Sequence, residues 1–236
     1  MKKAIILAGG KGRRLLPYTT LIPKPLIPIG DTSIIEIIIR QLIKHGFEEI
    51  IISVNHMSGL MMAFLNEFAE FKGILKYSKE DKPLGTSGAI SLIENLDSTF
   101  LVMNGDLLTD IDYNELIEFH NQRKSILTIA SKSRSVDIDF GILDCNPLDS
   151  DFLTSYQEKP IRHYLVSAGI YIFEPMIKKY LEYNDPIDFP ELVQKLLDNK
   201  ENVSVYQHKG FWMDLGRKED FDVAIQEFDK DRNRFV

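Results

Sequence analysis

A glycine-rich segment near the start of the sequence has the composition of an anion-binding loop. It reads Leu7-Ala8-Gly9-Gly10-Lys11-Gly12-Arg13-Arg14-Leu15. Glycines let the backbone N–H groups surround an anion, while Lys11, Arg13 and Arg14 supply positive charge. The third glycine of the dinucleotide fingerprint and a Gly-Lys-Ser/Thr element are both absent, so a dehydrogenase or a Walker-type NTPase is disfavoured. The alternative is a glycine-rich turn with solvated basic side chains.

A lysine between prolines is a second candidate for phosphate chemistry. Lys24 lies in Ile22-Pro23-Lys24-Pro25-Leu26-Ile27-Pro28. The three prolines favour an extended chain and keep the lysine out of a helix. A rigidly presented ammonium suits phosphate, because it is a compact charge with three donors. The alternative is a surface lysine in a proline-rich loop.

Two aspartates are candidate ligands for a metal ion. Asp106 ends Asn104-Gly105-Asp106, directly after the apolar run 99–103. A carboxylate at the tip of a buried strand suits Mg²⁺, whose other ligands are water and phosphate oxygens. Asp214, in Gly210-Phe211-Trp212-Met213-Asp214-Leu215-Gly216, is a candidate second ligand. The alternatives are that Asp106 is a helix N-cap, that Asp214 caps a helix over 217–229, and that Trp212 fills the core.

Two weaker clusters complete the set of candidates. Residues 80–89 place small and hydroxyl side chains at a predicted helix start, where free N–H groups can read a base or a phosphate. Glu158-Lys159-Pro160 pairs a carboxylate with an ammonium on an extended stretch, which suits a phosphorylated polyol. The five histidines have no ligand spacing, and Cys145 lies in an apolar strand pattern. Covalent nucleophilic catalysis therefore has no support.

Alternating apolar strands and amphipathic helices must position these groups. Up to residue 105 the pattern predicts a parallel sheet of about four strands, covered on both faces through right-handed crossovers. Ligands of such sheets bind beyond the carboxyl ends of the strands, which is where the candidate residues lie. The predicted elements are strands over 3–7, 49–54, 74–78 and 99–103, and helices over 33–45, 60–71 and 89–96.

The pattern changes after Asp106 to one that favours antiparallel pairing. Strand candidates over 126–130, 140–145 and 153–158 have no helix between them. Residues 133–173 are therefore predicted to form a substrate-facing insertion on a single core. The other predicted elements are strands over 165–173 and 203–207, and helices over 113–122, 175–181, 191–197 and 218–229.

Composition limits the class of protein. The 236 residues are 44% hydrophobic and 27% charged, which excludes disorder as the dominant state. A net charge of −7 gives no general attraction to nucleic acid or an anionic membrane, so neither is an expected partner. A single cysteine excludes an intrachain disulfide and a Cys-rich zinc site. With no signal-peptide or spanning segment, the expected location is cytoplasmic.

Taken in order, these segments resemble the nucleoside-diphosphate-sugar pyrophosphorylases, the sugar-1-phosphate nucleotidyltransferases. Residues 7–19 match the family's opening Leu-Ala-Gly-Gly-x-Gly-Thr-Arg-Leu-x-Pro-x-Thr, except that Arg13 stands where the family usually has threonine. Six more matches follow in family order: Pro-Lys-Pro at 23–25, Pro-Leu-Gly-Thr-x-Gly-Ala at 83–89, Gly-Asp at 105–106, Glu-Lys-Pro at 158–160, Ser-Ala-Gly-Ile-Tyr at 167–171 and Gly-Phe-Trp-x-Asp-Leu-Gly at 210–216.

The resemblance implies an α/β fold with a three-layer, doubly wound, Rossmann-like mixed sheet and a small antiparallel sugar-binding insertion. One nucleotidyltransferase unit would fill 1–236, with a nucleotide-binding core over about 1–130, a sugar-phosphate-binding part over about 131–236 and no C-terminal β-helix. The implied substrates are an NTP and a sugar 1-phosphate, and the implied cofactor is Mg²⁺. The sugar phosphate would attack the α-phosphorus in line, expelling pyrophosphate and forming an NDP-sugar. Self-association into a homo-oligomer is left open.

The resemblance also assigns roles to residues. Arg14, Lys24 and Asp106 are implied to be catalytic, with Arg14 on the leaving pyrophosphate and Lys24 on the triphosphate, and Asp106 and Asp214 are implied to hold the metal. The residues implied to bind the sugar and its phosphate are Gly141, Glu158, Lys159, Ser167 and Gly169. Those implied to bind the nucleotide are Leu7, Ala8, Gly9, Gly10, Gly12, Arg13, Arg14, Lys24, Pro83, Gly85, Thr86, Gly88, Asn104 and Asp106.

Two segments bear on the choice of substrate. Residues 83–89 and 210–214 most resemble mannose- or heptose-1-phosphate guanylyltransferases, whereas thymidylyltransferases usually have Gly-Leu-Ala-Gln where Gly85–Gly88 stands. The resemblance therefore implies GTP, in NDP-sugar supply for polysaccharide biosynthesis. The alternatives are a UTP- or dTTP-dependent enzyme acting on a glucose or amino-sugar 1-phosphate, and a non-catalytic nucleotide-binding regulator. A molybdopterin-type guanylyltransferase shares the glycine-rich opening, but Glu-Lys-Pro and Trp-x-Asp argue against it.

Overall fold

The computed structural model describes residues 1–10 and 12–236 and contains a seven-stranded sheet with helices on both faces. The strands are β1 Lys2–Leu7, β2 Pro28–Ile29, β3 Thr32–Ser33, β4 Phe47–Val54, β5 Leu75–Lys79, β6 Phe100–Asn104, β7 Leu107–Thr109, β8 Leu127–Asp137, β9 Ile142–Asn146, β10 Asp149–Gln157, β11 Ile161–Phe173, β12 Val203–Gln207 and β13 Trp212–Asp214. The α-helices are α1 Ile34–Lys44, α2 Ser58–Asn66, α3 Gly85–Gly88, α4 Tyr113–Arg123, α5 Phe189–Asp198 and α6 Lys218–Lys230.

The first half of the chain forms the predicted parallel part of the sheet. Its strands lie in the order β5-β4-β1-β6 and are all parallel. The apolar residues of β1, β4 and β6 are mostly buried on both faces, as helix-covered parallel strands require, whereas those of the edge strand β5 are only partly buried. The register aligns the carboxyl ends, because Leu7 pairs with both Ser53 and Asn104, and Ser53 pairs with Ser78. The segments that follow these strands therefore meet at one edge of the sheet.

Side chains that alternate along the strands build a separate apolar core on each face. Ala4 and Ile6 belong to one cluster, which also contains the buried face of α1, whereas Ile5 belongs to the other. The α1 helix begins as predicted, because the Ser33 hydroxyl accepts a hydrogen bond from the Glu36 N–H at 3.4 Å. The expected three-layer α/β architecture is confirmed.

The second half adds antiparallel strands, as predicted. β11 pairs antiparallel with both β6 and β8, and β12 adds a parallel edge strand. β8 and β11 are longer than the apolar runs that predicted them. They continue as a two-stranded ribbon that carries the β9–β10 hairpin. We call residues 132–166 the arm.

Several local predictions were wrong. The helix over 89–96 is replaced by α3 and a 3₁₀ turn over Ala89–Leu92, since Gly85, at φ +74°, and Gly88 pack closely against residues 185–188. The helix over 60–71 ends at Asn66, and a 3₁₀ turn over Ala69–Phe71 follows and buries Phe71. Residues 175–180 form a 3₁₀ helix. In the described part of the chain, no helix is both long enough and apolar enough to cross a membrane.

Two segments predicted to be extended turn instead. Lys24–Leu26 forms a single 3₁₀ turn, with Pro25 at one of its first positions, where a missing N–H costs nothing. Glu158-Lys159-Pro160 connects β10 to β11 rather than continuing a strand, and Lys159 has φ +41°. The prolines thus fix the direction of the chain in both places without keeping it extended.

Candidate active site

The aligned strand ends open into a cleft of about 690 Å³. The cleft contains thirteen of the fourteen residues predicted to bind the nucleotide, all except Gly88. Its lining is Leu7, Ala8, Gly9, Gly10, Gly12, Arg13, Arg14, Leu15, Lys24, Pro25, Asn55, Glu80, Pro83, Gly85, Thr86, Asn104, Gly105, Asp106, Asp188 and Gly216. Lys11, which the sequence adds to the basic side chains of the loop, lies outside the described residues. The roles predicted for these residues remain predictions.

The glycine-rich loop is held by contacts with its surroundings. Gly12 has φ +58°, and its carbonyl accepts a hydrogen bond from the buried Thr19 hydroxyl at 2.9 Å. A Cβ atom on Gly12 would lie 2.8 Å from Thr19 Cγ2. Only glycine therefore fits this turn without strain. Arg13 and Arg14 follow on an exposed 3₁₀ turn at the wall of the cleft.

Lys24 is buried between the two predicted metal ligands. Its side chain is 9% exposed, and its ammonium pairs with Asp106 Oδ2 and lies 3.7 Å from Asp214 Oδ1. The interpretation of Lys24 as a surface residue is therefore wrong. The structure brings one cation and two carboxylates together at the point where the strand order reverses between β1 and β6, the usual ligand site of a doubly wound sheet.

A short antiparallel ladder brings the two aspartates together. Asp214 in β13 pairs with Leu107 in β7, and the Leu215 N–H donates to the Asp106 carbonyl at 3.0 Å. Asp106 precedes a strand rather than a helix, so the N-cap interpretation is wrong. Asp214 does not cap α6 either, because the Asp220 carboxylate accepts from the Arg217 N–H at 2.7 Å at the start of that helix.

Trp212 links this ladder to the turn that contains Ser167 and Gly169. Its indole N–H donates to the Ala168 carbonyl at 2.7 Å, and its ring is only half-buried. Trp212 therefore packs against the edge of the core without being one of its buried residues. Gly169 has φ +70°, and a Cβ there would lie 2.6 Å from Asn104 Nδ2. The bulge in β11 thus lies beside the strand end that carries Asp106.

The electrostatics of the two carboxylates favour a cation. Burial, and then the charge of Asp106, raise the pKa of Asp214, and Lys24 and Arg14 only partly oppose this rise. A divalent ion between the two carboxylates would relieve their repulsion. Among the described residues, no group of three or more His, Cys, Asp or Glu side chains could hold a metal ion. The donor set therefore fits an ion that keeps water and phosphate oxygens as its other ligands, as Mg²⁺ does.

The loop at residues 80–89 is held differently from what the sequence predicts. The Thr86 N–H donates to Asp188 Oδ1 at 3.2 Å, and the Phe189 N–H donates to the Thr86 hydroxyl at 2.8 Å. The Gly88 N–H donates to the Ile187 carbonyl at 3.0 Å. The prediction that the N–H groups at this helix start are free is therefore wrong for these residues. Gly88 packs against residues 185–187 and does not line the cleft.

The residues predicted to bind the sugar phosphate fall into two groups. Ser167 and Gly169 lie near the cleft, with the Ser167 hydroxyl 3.1 Å from the Tyr171 hydroxyl. Gly141, Glu158 and Lys159 lie on the arm, where Glu158 and Lys159 are exposed. The Tyr156 hydroxyl donates to the Glu158 carboxylate and occupies the space that a Gly141 side chain would fill. The structure does not bring these two groups together.

Three polar residues of the cleft are missing from the predicted set. Asn55 directly follows β4, and Glu80 directly follows β5, so the rule that ligands bind beyond strand ends could have found both. Glu80 Oε1 accepts from the Ser53 hydroxyl at 2.8 Å, and its Oε2 accepts from the Leu84 N–H at 3.1 Å. Asp188 reaches the cleft from the start of α5, and no local signal in the sequence marks it.

A doubly wound sheet with a glycine-rich loop and a cleft at the carboxyl ends of its strands defines a Rossmann-like α/β protein. The family model described as "Nucleotidyl transferase" matches residues 3–231, and the chain belongs to this family. Mannose-1-phosphate guanyltransferase of Aspergillus fumigatus is 31% identical over 226 residues, covering 93% of this chain and 62% of that protein. UTP--glucose-1-phosphate uridylyltransferase of Synechocystis sp. is 31% identical over 244 residues, covering 95% and 62%.

The solved structures show the same fold. HddC from Yersinia pseudotuberculosis, complexed with GMP-PN, superposes with a TM-score of 0.74 at 27% identity, covering 97% of this chain and 100% of that one. The chain spans 62% of the length of the curated relatives that it matches.

Proposed function

We propose that the protein transfers a nucleotidyl group from an NTP to a sugar 1-phosphate. The observation that carries this proposal is the buried Lys24 between Asp106 and Asp214, at the edge of a cleft lined by the glycine-rich loop. In the reaction, a phosphate oxygen of the sugar 1-phosphate bonds to the α-phosphorus. The bond from this phosphorus to the bridging oxygen of the β-phosphate breaks, and pyrophosphate leaves.

The protein's own residues supply positioning and charge. Arg14, on the exposed 3₁₀ turn, neutralises the leaving pyrophosphate, and the Lys24 ammonium stabilises the negative charge on the triphosphate. Asp106 and Asp214 would hold Mg²⁺, which neutralises phosphate charge and orients the phosphates when bound. Lys159 on the arm positions the sugar phosphate. Because the attack is direct, catalysis rests on alignment rather than on a covalent intermediate.

We infer that GTP is the preferred nucleotide, and Glu80 supports this choice. A carboxylate only accepts hydrogen bonds, and each Glu80 oxygen already accepts one but has room for another. Guanine presents two adjacent donors on its Watson–Crick edge, N1–H and N2–H, which match a carboxylate. Uracil and thymine present one N–H between two carbonyl acceptors, which repel it. The guanyltransferase relatives and the HddC complex with GMP-PN agree with this inference.

The second candidate is a UTP-dependent enzyme for glucose 1-phosphate. The uridylyltransferase of Synechocystis sp. supports it, because it is as similar to this chain as the guanyltransferase of Aspergillus fumigatus. A mannose- or heptose-type sugar 1-phosphate remains the preferred acceptor, since the guanyltransferase relatives are named for mannose 1-phosphate.

A panel of substrates tests the proposal. The protein is incubated with Mg²⁺, inorganic pyrophosphatase, one of GTP, UTP, dTTP, ATP or CTP, and mannose, heptose or glucose 1-phosphate, and phosphate release is measured. We expect release only when nucleotide and sugar phosphate are both present, and fastest with GTP. If phosphate were released with UTP, dTTP or CTP but not with GTP, the choice of GTP would be contradicted. No release with any pair would contradict the transferase.

Glu80→Gln tests the base contact separately. We expect kcat/KM for GTP to fall about 10- to 100-fold, the 1–3 kcal/mol of a good bidentate base contact, with a smaller change for UTP. Asp81→Asn is the matched control, since it removes a neighbouring charge that does not line the cleft. Equal losses for GTP and UTP would contradict the role of Glu80.

A further inference from the structure

A group of ionisable residues holds the far end of the β7–β13 ladder, outside the cleft. Asp110 directly follows β7, and both of its carboxylate oxygens are occupied. Arg234 Nε and Nη2 each lie 2.6 Å from Oδ2, and His208 Nε2 lies 2.9 Å from Oδ1. None of these three residues lines the cleft. We call Asp110, His208 and Arg234 the clamp.

The clamp also holds the backbone that leads into β13. The Phe211 carbonyl accepts from the Asp110 N–H at 3.2 Å and from the Thr109 hydroxyl at 2.9 Å, and lies 3.0 Å from His208 Nε2. The Arg234 guanidinium covers the Phe211 ring at 5.6 Å. Phe211 immediately precedes Trp212, the first residue of β13. The start of β13 is therefore tied to the end of β7.

The ladder itself is too short to fix its own register strongly. It consists of three residue pairs, Trp212 with Thr109, Met213 with Leu108 and Asp214 with Leu107. A slip of one residue would turn every side chain of β13 to the opposite face, because side chains alternate along a strand. Such a slip would move Asp214 away from Lys24 and Asp106.

We propose that the clamp is a positioning device, which sets the register that brings Asp214 beside Asp106. Its members do not touch the reacting atoms, and they act through β7 and β13. The inference rests on the proposed function, because it assigns a purpose to the pairing of the two carboxylates. Mutations of groups that orient metal ligands typically cost 10- to 100-fold in metal affinity or activity.

Gly210 shows how closely the clamp is packed. A Cβ atom at this position would overlap Asp110 Oδ1 and lie 2.7 Å from His208 Cε1. Alanine there must push Asp110 and His208 apart without removing any charge. Gly210→Ala therefore disrupts the clamp sterically, independently of variants that change its charges. The clamp also explains a glycine of the Gly-Phe-Trp-x-Asp-Leu-Gly segment that substrate binding leaves unexplained.

The experiment compares two neighbouring arginines. Arg234→Met and Gly210→Ala disrupt the clamp. The control Arg232→Met, in the same 3₁₀ turn, removes the surface pairs with Asp31 and Asp229 and the contact with the Phe228 ring, none of which involves a clamp residue. Mn²⁺ binding is measured by electron paramagnetic resonance without nucleotide, and kcat and KM are measured with GTP and mannose 1-phosphate. Circular dichroism checks that each variant is folded. If Arg234→Met does not fold, Arg234→Lys, which keeps one donor on Asp110, replaces it.

The clamp predicts that its variants bind Mn²⁺ about 10- to 100-fold more weakly and lose kcat, with KM for GTP unchanged. Arg232→Met should stay within twofold of the wild type. Folded clamp variants with wild-type Mn²⁺ affinity and kcat would overturn the proposal. The two failures are distinguishable: a wild-type protein with no turnover contradicts the proposed function, while its Mn²⁺ affinity relative to the clamp variants still tests the clamp.

Discussion

The cleft and the arm differ in how firmly the protein's own contacts hold their functional residues. In the cleft, Lys24 is buried against two carboxylates, Gly12 is locked by Thr19, and Thr86 and Asp188 hold each other's segments. On the arm, Glu158 and Lys159 are exposed and do not line the cleft. The arm also exposes large apolar side chains, namely Val136, Phe140, Leu143, Leu148, Phe152, Leu153, Tyr156, Ile161, Tyr164 and Leu165.

This difference indicates the order in which the two substrate sites are completed. A site whose groups are already held loses little entropy when its ligand binds, whereas a site with exposed groups must be ordered by the ligand. The cleft is therefore preorganised for the nucleotide that we propose it binds. The residues predicted to hold the sugar phosphate are divided between the arm and the β11 bulge, and we expect them to come together only when the nucleotide is bound.

The largest effect is expected from the carboxylates. Asp106→Asn and Asp214→Asn should each lower kcat by about 10²- to 10³-fold, because preorganised charge at the reacting phosphates is lost. Asp144→Asn, which removes an exposed acid of the arm, serves as the control. Pyrophosphate release measures the rate. A near-wild-type rate in either cleft variant would contradict the shared metal site.

The next effect separates two glycines of the same loop. Gly12→Ala should lower the free energy of unfolding by about 1–3 kcal/mol, since alanine would be strained at φ +58° and crowd Thr19. Gly10→Ala should change it by less than about 0.5 kcal/mol, because no atom lies within 4 Å of the added methyl group, yet it should weaken nucleotide binding. Urea unfolding and nucleotide titration measure both. Equal stability of the two variants would contradict the locked loop.

A comparable change on the arm should affect only the sugar substrate. Lys159→Met should raise KM for the sugar 1-phosphate about tenfold through the loss of one charge-assisted contact, and leave KM for GTP unchanged. Its stability should stay within about 0.5 kcal/mol of the wild type, because Lys159 is exposed. Arg162→Gln removes another cation of the arm as a control. If KM rose for GTP and not for the sugar 1-phosphate, Lys159 would contact the nucleotide rather than the sugar phosphate.

The smallest effect concerns pH and the stability of the free protein. The folded pKa of Asp214 lies above its ordinary value of 3.8, so its ionisation opposes folding. This penalty is absent below about pH 3.8, grows as the pH rises through the folded pKa, and is complete above it. Asp214→Asn should therefore slightly stabilise the protein at pH 7, and the gain should shrink toward pH 4. Urea unfolding at both pH values measures it, and a loss of stability at pH 7 would contradict the electrostatic account.

The parts of the fold that could be predicted from the sequence are those set by local patterns. Apolar runs that stop at polar residues identified β1, β4, β5 and β6, and the groups after them converge because parallel strands end at one edge. The motifs that contain Gly12, Lys24 and Asp106 therefore predicted residues that line the cleft.

Contacts between distant segments could not be predicted in the same way. Thr86 and Asp188 are 102 residues apart, and the hydrogen bond from the Thr86 N–H to the Asp188 carboxylate leaves no periodic signal. The β11 bulge at Gly169 and the clamp on Asp110 depend likewise on partners from other parts of the chain. The 3₁₀ turns over Ala69–Phe71, Ala89–Leu92 and Pro175–Tyr180 were missed because their apolar spacing resembles that of an α-helix over a few residues. The turn over Lys24–Leu26 was missed because its prolines favoured an extended chain.

The order in which the two substrate sites are completed can be tested most directly by isothermal titration calorimetry. GTP with Mg²⁺ is titrated into the protein alone, and mannose 1-phosphate is titrated into the protein alone and into the protein saturated with a non-hydrolysable GTP analogue and Mg²⁺. We predict that the nucleotide binds the free protein and that the sugar phosphate binds only the nucleotide complex. Equal affinity of mannose 1-phosphate for the free protein and for the complex would contradict this account, in which the sugar-phosphate site is completed only after the nucleotide has bound.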